Sequence, residues 1–323
     1  MVEGPVTPAA AGEARAGRPA VGYALVLAAV VLWSVNAAVV KVLIDSAGLT
    51  PMRLAEARAT GAALLLLAGI AVLRPASLRV SAREAGFLAV FGIAGLALVH
   101  FFYFVAISHL NIGIALVIQY LSPVLVALWA RFFVHEPVRR RLWVALALSL
   151  TGLSLVVELW SGGGLNGIGV AASLGAAFSF ACYVVMADHS LQRGRDAFSL
   201  LAWGFLFAAL FWALVQPWWS FPVEIVTRDT SLLGRLADLH APVWILLTYI
   251  VILGTIIPFS MLVTALHYIS PTRATIVAMS EPVVAGFVAF AWLRQEIGAQ
   301  QIAGGVLVLA GILLAQTARA VRN

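Results

Sequence analysis

Charge is what this chain has least of. Asp, Glu, Lys and Arg make up only 11% of its 323 residues, against 63% hydrophobic ones. Ordinary soluble domains carry about twice that share of charge, so a soluble fold is excluded. The formal net charge is +6, but the basic residues sit in short links between apolar blocks, where membrane topology accounts for them; a nucleic-acid partner is not implied. Cysteine occurs once, as Cys182, so no intramolecular disulfide can form. A Walker A loop is missing, which excludes ATP as the direct drive through this chain. The stretch "HEP" at 135–137 lacks the second His of HExxH, and GxGD and GxSxG are missing too, which argues against an intramembrane enzyme. Residues 1–19 are rich in Ala, Gly and Pro, have no signal-peptide pattern, and read as a disordered tail.

What the chain does have is apolar blocks of about 20 residues, the length that crosses a bilayer. They are continuously apolar, without a period of two, so they are helices and not barrel strands. Ten spans are expected, at 22–44, 51–73, 85–108, 111–134, 141–159, 167–187, 198–216, 242–264, 271–293 and 298–318. The longest connection is 217–241, where Ile225, Leu232, Leu236 and Leu239 have helical spacing. That segment reads either as a short amphipathic helix on the membrane or as a polar loop. With the N-terminus inside, fourteen of the twenty Lys and Arg fall on the cytoplasmic side, the run "RRR" at 139–141 foremost. Both termini are therefore expected in the cytoplasm, with the chain in the inner membrane.

Residues 106–136 align with 265–296. Pro123 and Pro282, Val124 and Val283, and Ala106 and Ala265 are each 159 positions apart, as are Gly152 and Gly311 in the spans that follow. Glu136 and Glu296 close the two blocks with a one-residue slip. This pattern predicts a duplication, with halves at 20–160 and 161–320. Each half holds five spans, an odd number, so tandem copies must cross in opposite senses. The expected fold is an all-α integral membrane protein of ten transmembrane helices in two inverted five-helix repeats. Inverted repeats are typical of secondary transporters, with the substrate near the midplane.

The chain resembles the drug/metabolite transporter superfamily, and within it the EamA-type exporters. The resemblance rests on "LWSVNAAVVK" (32–41), "RLAEARATGAALLLL" (53–67), "YLSPVLVALWARFFVHE" (120–136), "SEPVVAGFVAFAWLRQE" (280–296) and "AGGVLVLAGILLA" (303–315). It implies ten helices in inverted halves and export of small metabolites, often amino acids. Ser34 departs from the family, which commonly has Gly after the Trp, and the 217–241 connection is longer than the family leads one to expect.

A few residues stand in the wrong solvent. Glu281 lies ten residues into its span, roughly 15 Å deep. A lone carboxylate there costs at least about 3 kcal/mol and needs a partner, water or a proton. Arg58 enters from the other side to roughly 10 Å, within reach of a pair. Glu281 and Arg58 read either as lining a site or as an ion pair locking the halves. Pro123 and Pro282 interrupt their helices near one level, as broken helices around a cavity or as simple kinks. Trp33 and Tyr120 offer aromatic faces or packing, Asn36 and Gln119 offer amides to substrate or to neighbouring helices, and His100 is a proton relay or an interior His.

The reading is a secondary transporter that exports small metabolites, neutral or aromatic amino acids above all, by alternating access around a central cavity. Its alternatives are a channel or facilitator for another solute and, further off, an intramembrane enzyme. The partners expected are a small solute and the bilayer, with no nucleic acid, cofactor or metal. The oligomeric state is left open.

Overall fold

The structure is a computed structural model and describes residues 18–107, 109–110, 112–135, 138–157, 166–294 and 298–317. Residues 1–17 of the expected tail, and Glu136 and Glu296, lie outside the described residues. Helices run in this order: α1 Pro19–Asp45, α2 Pro51–Leu73, α3 Ala82–Ala106, α4 Ile112–Gln119, α5 Ser122–Phe132, α6 Arg140–Val156, α7 Gly167–Gln192, α8 Ala197–Val215, α9 Val243–Ala265, α10 Pro271–Ala278, α11 Glu281–Leu293 and α12 Ala299–Thr317. Among the described residues, eight stretches are long and apolar enough to cross a membrane, with Ala115–Phe132 and Pro271–Leu293 each counted as one. The helices α6 and α12 occupy the two remaining expected intervals.

Local chemistry fixes where these helices start. Thr50 caps α2 by accepting from Arg53 N at 3.3 Å, and Pro51 follows at the first helical position. Ser81 caps α3 and Asp196 caps α8. Asn166 caps α7, accepting from Ile168 N at 2.9 Å and Gly169 N at 3.2 Å.

Small residues set the helix–helix distances, as expected where lipid gives helices no hydrophobic reason to associate. On α6, a Cβ at Gly152 would stand 2.6 Å from the Gly304 carbonyl oxygen of α12; one at Gly304 would stand 2.5 Å from that of Gly152. Gly311 lies in the same way against Ala145 and Ser149. These glycines serve contacts inside the bundle. Gly61 of α2 is closed over by Val251 of α9, and Gly92 of α3 by Phe207 and the Gly204 carbonyl of α8.

Four interruptions break this regularity. The fourth expected span stops at Gln119 and resumes at Ser122, and the ninth stops at Ala278 and resumes at Glu281, both boundaries 159 positions later. Wide π-type turns cover Phe91–Ala97 in α3 and Ile252–Ile256 in α9; their last residues, Ala97 and Ile256, are again 159 apart.

The 217–241 segment is not an amphipathic helix. It holds short turns at Trp218–Ser220, Val223–Val226 and Gly234–Leu236. Between them lies an antiparallel ribbon of β1 Asp229–Ser231 and β2 His240–Pro242. Ile225 and Leu232 pack on a satellite core with Val42, Leu43 and Ile250. Leu236 and Leu239 are exposed, so the four residues at helical spacing do not share one packed face.

Candidate functional site

Two broken helices meet at the centre of the site. Tyr120 lies in the turn between α4 and α5, and Glu281 is the first residue of α11. The Tyr120 hydroxyl donates to Glu281 Oε2 at 3.0 Å. The Ser34 hydroxyl of α1 donates to the backbone carbonyl of Glu281 at 3.2 Å. Pro123 and Pro282 each stand in the first turn of the resumed helix, where the N–H that proline lacks would have no intrahelical partner.

Magnitudes explain how the carboxylate is tolerated. Its burial in a membrane costs at least about 3 kcal/mol. A hydrogen bond to a charged group contributes about 1.5–3 kcal/mol, and a place in the first turn of a helix adds about 0.3–2 kcal/mol through the helix dipole. These offset the burial without an ion pair. None forms: Arg58 and Glu281 are close enough to interact electrostatically, yet no contact within 4.0 Å joins them among the described residues. Glu281 Oε1 makes no hydrogen bond among the described residues.

Arg58 of α2 is held instead by the wide turn of α9. Its Nε donates to Thr255 Oγ1 at 2.9 Å and its Nη2 points to the Gly254 carbonyl at 3.5 Å. Thr255 in turn donates to the Ile250 carbonyl at 2.7 Å. Nη1 has no hydrogen-bond partner among the described residues. A π-type turn frees carbonyls that a regular helix would occupy, and Gly254 supplies one here. A cavity of about 10 Å³, marginal for a single water, lies beside Arg58, lined also by His100, Thr255, Ala59 and Trp212. His100 Nδ1 donates to the Leu96 carbonyl at 3.0 Å.

The other sequence candidates fall around this cluster. Asn36 is buried with its Oδ1 unpartnered among the described residues, and that oxygen fills the place a Cβ would take at Gly254. Trp33 is buried edge-on to Phe259, ring centroids 5.4 Å apart. Gln119 Oε1 is buried without a partner among the described residues. Sequence reasoning missed Thr255 and Gly254, whose small side chains look ordinary in an apolar run. It also missed Tyr103, which lies within electrostatic reach of Glu281 and Tyr120. Its hydroxyl, alone in "FFYF", was the available signal. Glu56, buried and paired with Arg53 at 2.7 Å, was passed over as well.

The chain matches the EamA-like transporter family twice, over residues 20–158 and 167–317. A protein of Archaeoglobus fulgidus named as an uncharacterized transporter is 25% identical over 230 residues, covering 69% of this chain and 75% of that protein. Protein PecM of Dickeya dadantii is 23% identical over 214 residues, covering 66% of this chain and 67% of its own length. A solved crystal structure superposes with a TM-score of 0.73 at 18% identity, over 91% of this chain and 96% of that one, which is a likeness of fold. With both halves matched, the chain belongs to the EamA-like transporter family, in the drug/metabolite transporter superfamily, and is a multi-pass membrane transporter.

Proposed function

We propose that this protein is a secondary exporter of small amphipathic metabolites, neutral or aromatic amino acids first among them. It works by alternating access between two inverted five-helix halves in the inner membrane, with both termini in the cytoplasm. The observation that carries the reading is the Tyr120–Glu281 hydrogen bond, which joins the two helix breaks across the halves.

The contacts support inversion because they come in exchanged pairs. Gly152 meets Gly304, and Gly311 meets Ala145; Gly304 and Gly311 lie 159 positions after Ala145 and Gly152. Gly22 of α1 meets Tyr268 and Ile269, and Gly169 of α7 meets His109 and Leu110, again with the partners 159 apart. Contacts of this kind, i with j and j with i, are what a two-fold axis produces. The order is antiparallel along α6 and α12, which supports an axis perpendicular to those helices.

Polarity does not follow the symmetry. Arg58 comes from the first half and Glu281 from the second. One open donor, Arg58 Nη1, and one open acceptor, Glu281 Oε1, complement a carboxylate and an ammonium, with Tyr103 and Tyr120 near Glu281 for an apolar side chain. The test is a panel of solutes in proteoliposomes, run with and without a pH gradient. Saturable, counterflow-competent flux of amino acids is expected. Ungated conductance would favour a channel, and flux confined to phosphorylated solutes would mean the cavity is misread.

A further inference from the structure

The connection between α8 and α9 spans twenty-seven residues, 216–242, whereas its counterpart between α2 and α3 spans eight, 74–81. The extra chain is folded and holds the ends of several helices at one face of the bundle. Thr230 Oγ1 in β1 donates to Ser46 Oγ at the end of α1, at 2.7 Å. Trp292 Nε1, at the end of α11, donates to the Leu232 carbonyl at 2.9 Å. Arg235 lies 5.6 Å from the Phe290 ring centroid. Gly234, at φ +58°, lets the strap lie directly on the backbone of Trp292 and Leu293. On the other side, Arg53 Nη2 donates to Ser220 Oγ at 2.7 Å, and Trp218 Nε1 to Thr60 Oγ1 at 3.1 Å.

The helix α11 therefore has a fastened end and a hinged end. Its thirteen residues make a rod of about 20 Å. Trp292 is tied to the strap at one end. At the other, only a tight turn precedes Glu281, with Met279 N bonded to the Ile276 carbonyl and Ser280 N to the Val277 carbonyl.

We propose that the segment 216–242 is a latch: its grip on Trp292 and Ser46 keeps α11 in the closed arrangement, and opening towards this face requires its release. The proposal rests on the alternating-access reading. The cavity beside Arg58 has room for about one water, so in the latched structure that cavity does not admit an organic solute. Swinging α11 about the Ser280 junction separates Trp292 from Leu232, while Glu281, beside the pivot, turns in place. The latch thus holds the far end of a rod whose pivot lies beside the carboxylate.

The test replaces the hydroxyl pair by a reversible bond. Ser46→Cys with Thr230→Cys, in a Cys182→Ser background, brings two thiols together where two hydroxyls now touch. In proteoliposomes, oxidation is expected to abolish transport and reduction to restore it, while each single cysteine variant is insensitive to both. Hydrogen exchange of residues 281–293, which needs no substrate, is expected to slow on oxidation. In Trp292→Phe, which keeps the ring and loses the donor, that exchange is expected to quicken. Transport by fully cross-linked protein at the reduced rate overturns the proposal. If no solute is transported by any form, the function proposed above has failed separately; α11 exchange that oxidation leaves unchanged then overturns the latch on its own.

Discussion

Tyr120 and Glu281 stand 161 positions apart in the chain and 3.0 Å apart in space, hydroxyl to carboxylate, at the two places where membrane helices are interrupted. Any relative movement of the halves acts on this bond. Tyr120→Phe keeps the ring and removes the donor. The carboxylate oxygen then loses its partner, at about 1–3 kcal/mol. A modest fall in thermal stability is expected, together with a drop in transport of about tenfold or more, equivalent to about 1.4 kcal/mol in a barrier. Unchanged transport would mean that the bond is incidental.

Gly254 has no room for a side chain, because Asn36 Oδ1 fills the place of its Cβ. Gly254→Ala is expected to destabilise the protein by about 1–3 kcal/mol, as overpacking does. Adding Asn36→Ala is expected to recover most of that loss. Thermal unfolding of the two variants in detergent checks it, and a double variant no better than the single would contradict the contact.

Orientation follows from the basic residues. Cysteine placed at Arg140, in a Cys182→Ser background, is expected to resist a membrane-impermeant thiol reagent in intact cells, and cysteine placed at Thr227 to react. The reverse pattern would invert the bundle.

How much of this could be read from the sequence depended on contrast. Glu281, Arg58, Pro123 and Pro282 stood out because a charge or a missing N–H is conspicuous in an apolar run. The partner of Glu281 was another matter. The charges suggested Arg58, whereas the structure provides Tyr120 and the start of α11, since a hydroxyl and a helix end together offset the burial. Gly254 and Thr255 escaped notice because a π-type turn is set by packing around it, and nothing in "VILGTII" announces one. In 217–241, Ile225 and Leu232 pack on a satellite core while Leu236 and Leu239 are exposed, in a ribbon and turns that periodicity could not separate from a helix.

The central claim is that Glu281 carries out a step of transport and does not merely hold the bundle together. Glu281→Gln keeps the shape and the Tyr120 contact while removing the charge. The most direct measurement is amino-acid counterflow in proteoliposomes reconstituted with equal amounts of folded wild-type and Glu281→Gln protein. The account predicts that the variant inserts and unfolds at a temperature close to that of the wild type but loses most counterflow. Counterflow at the wild-type rate would contradict it and leave the carboxylate a structural element.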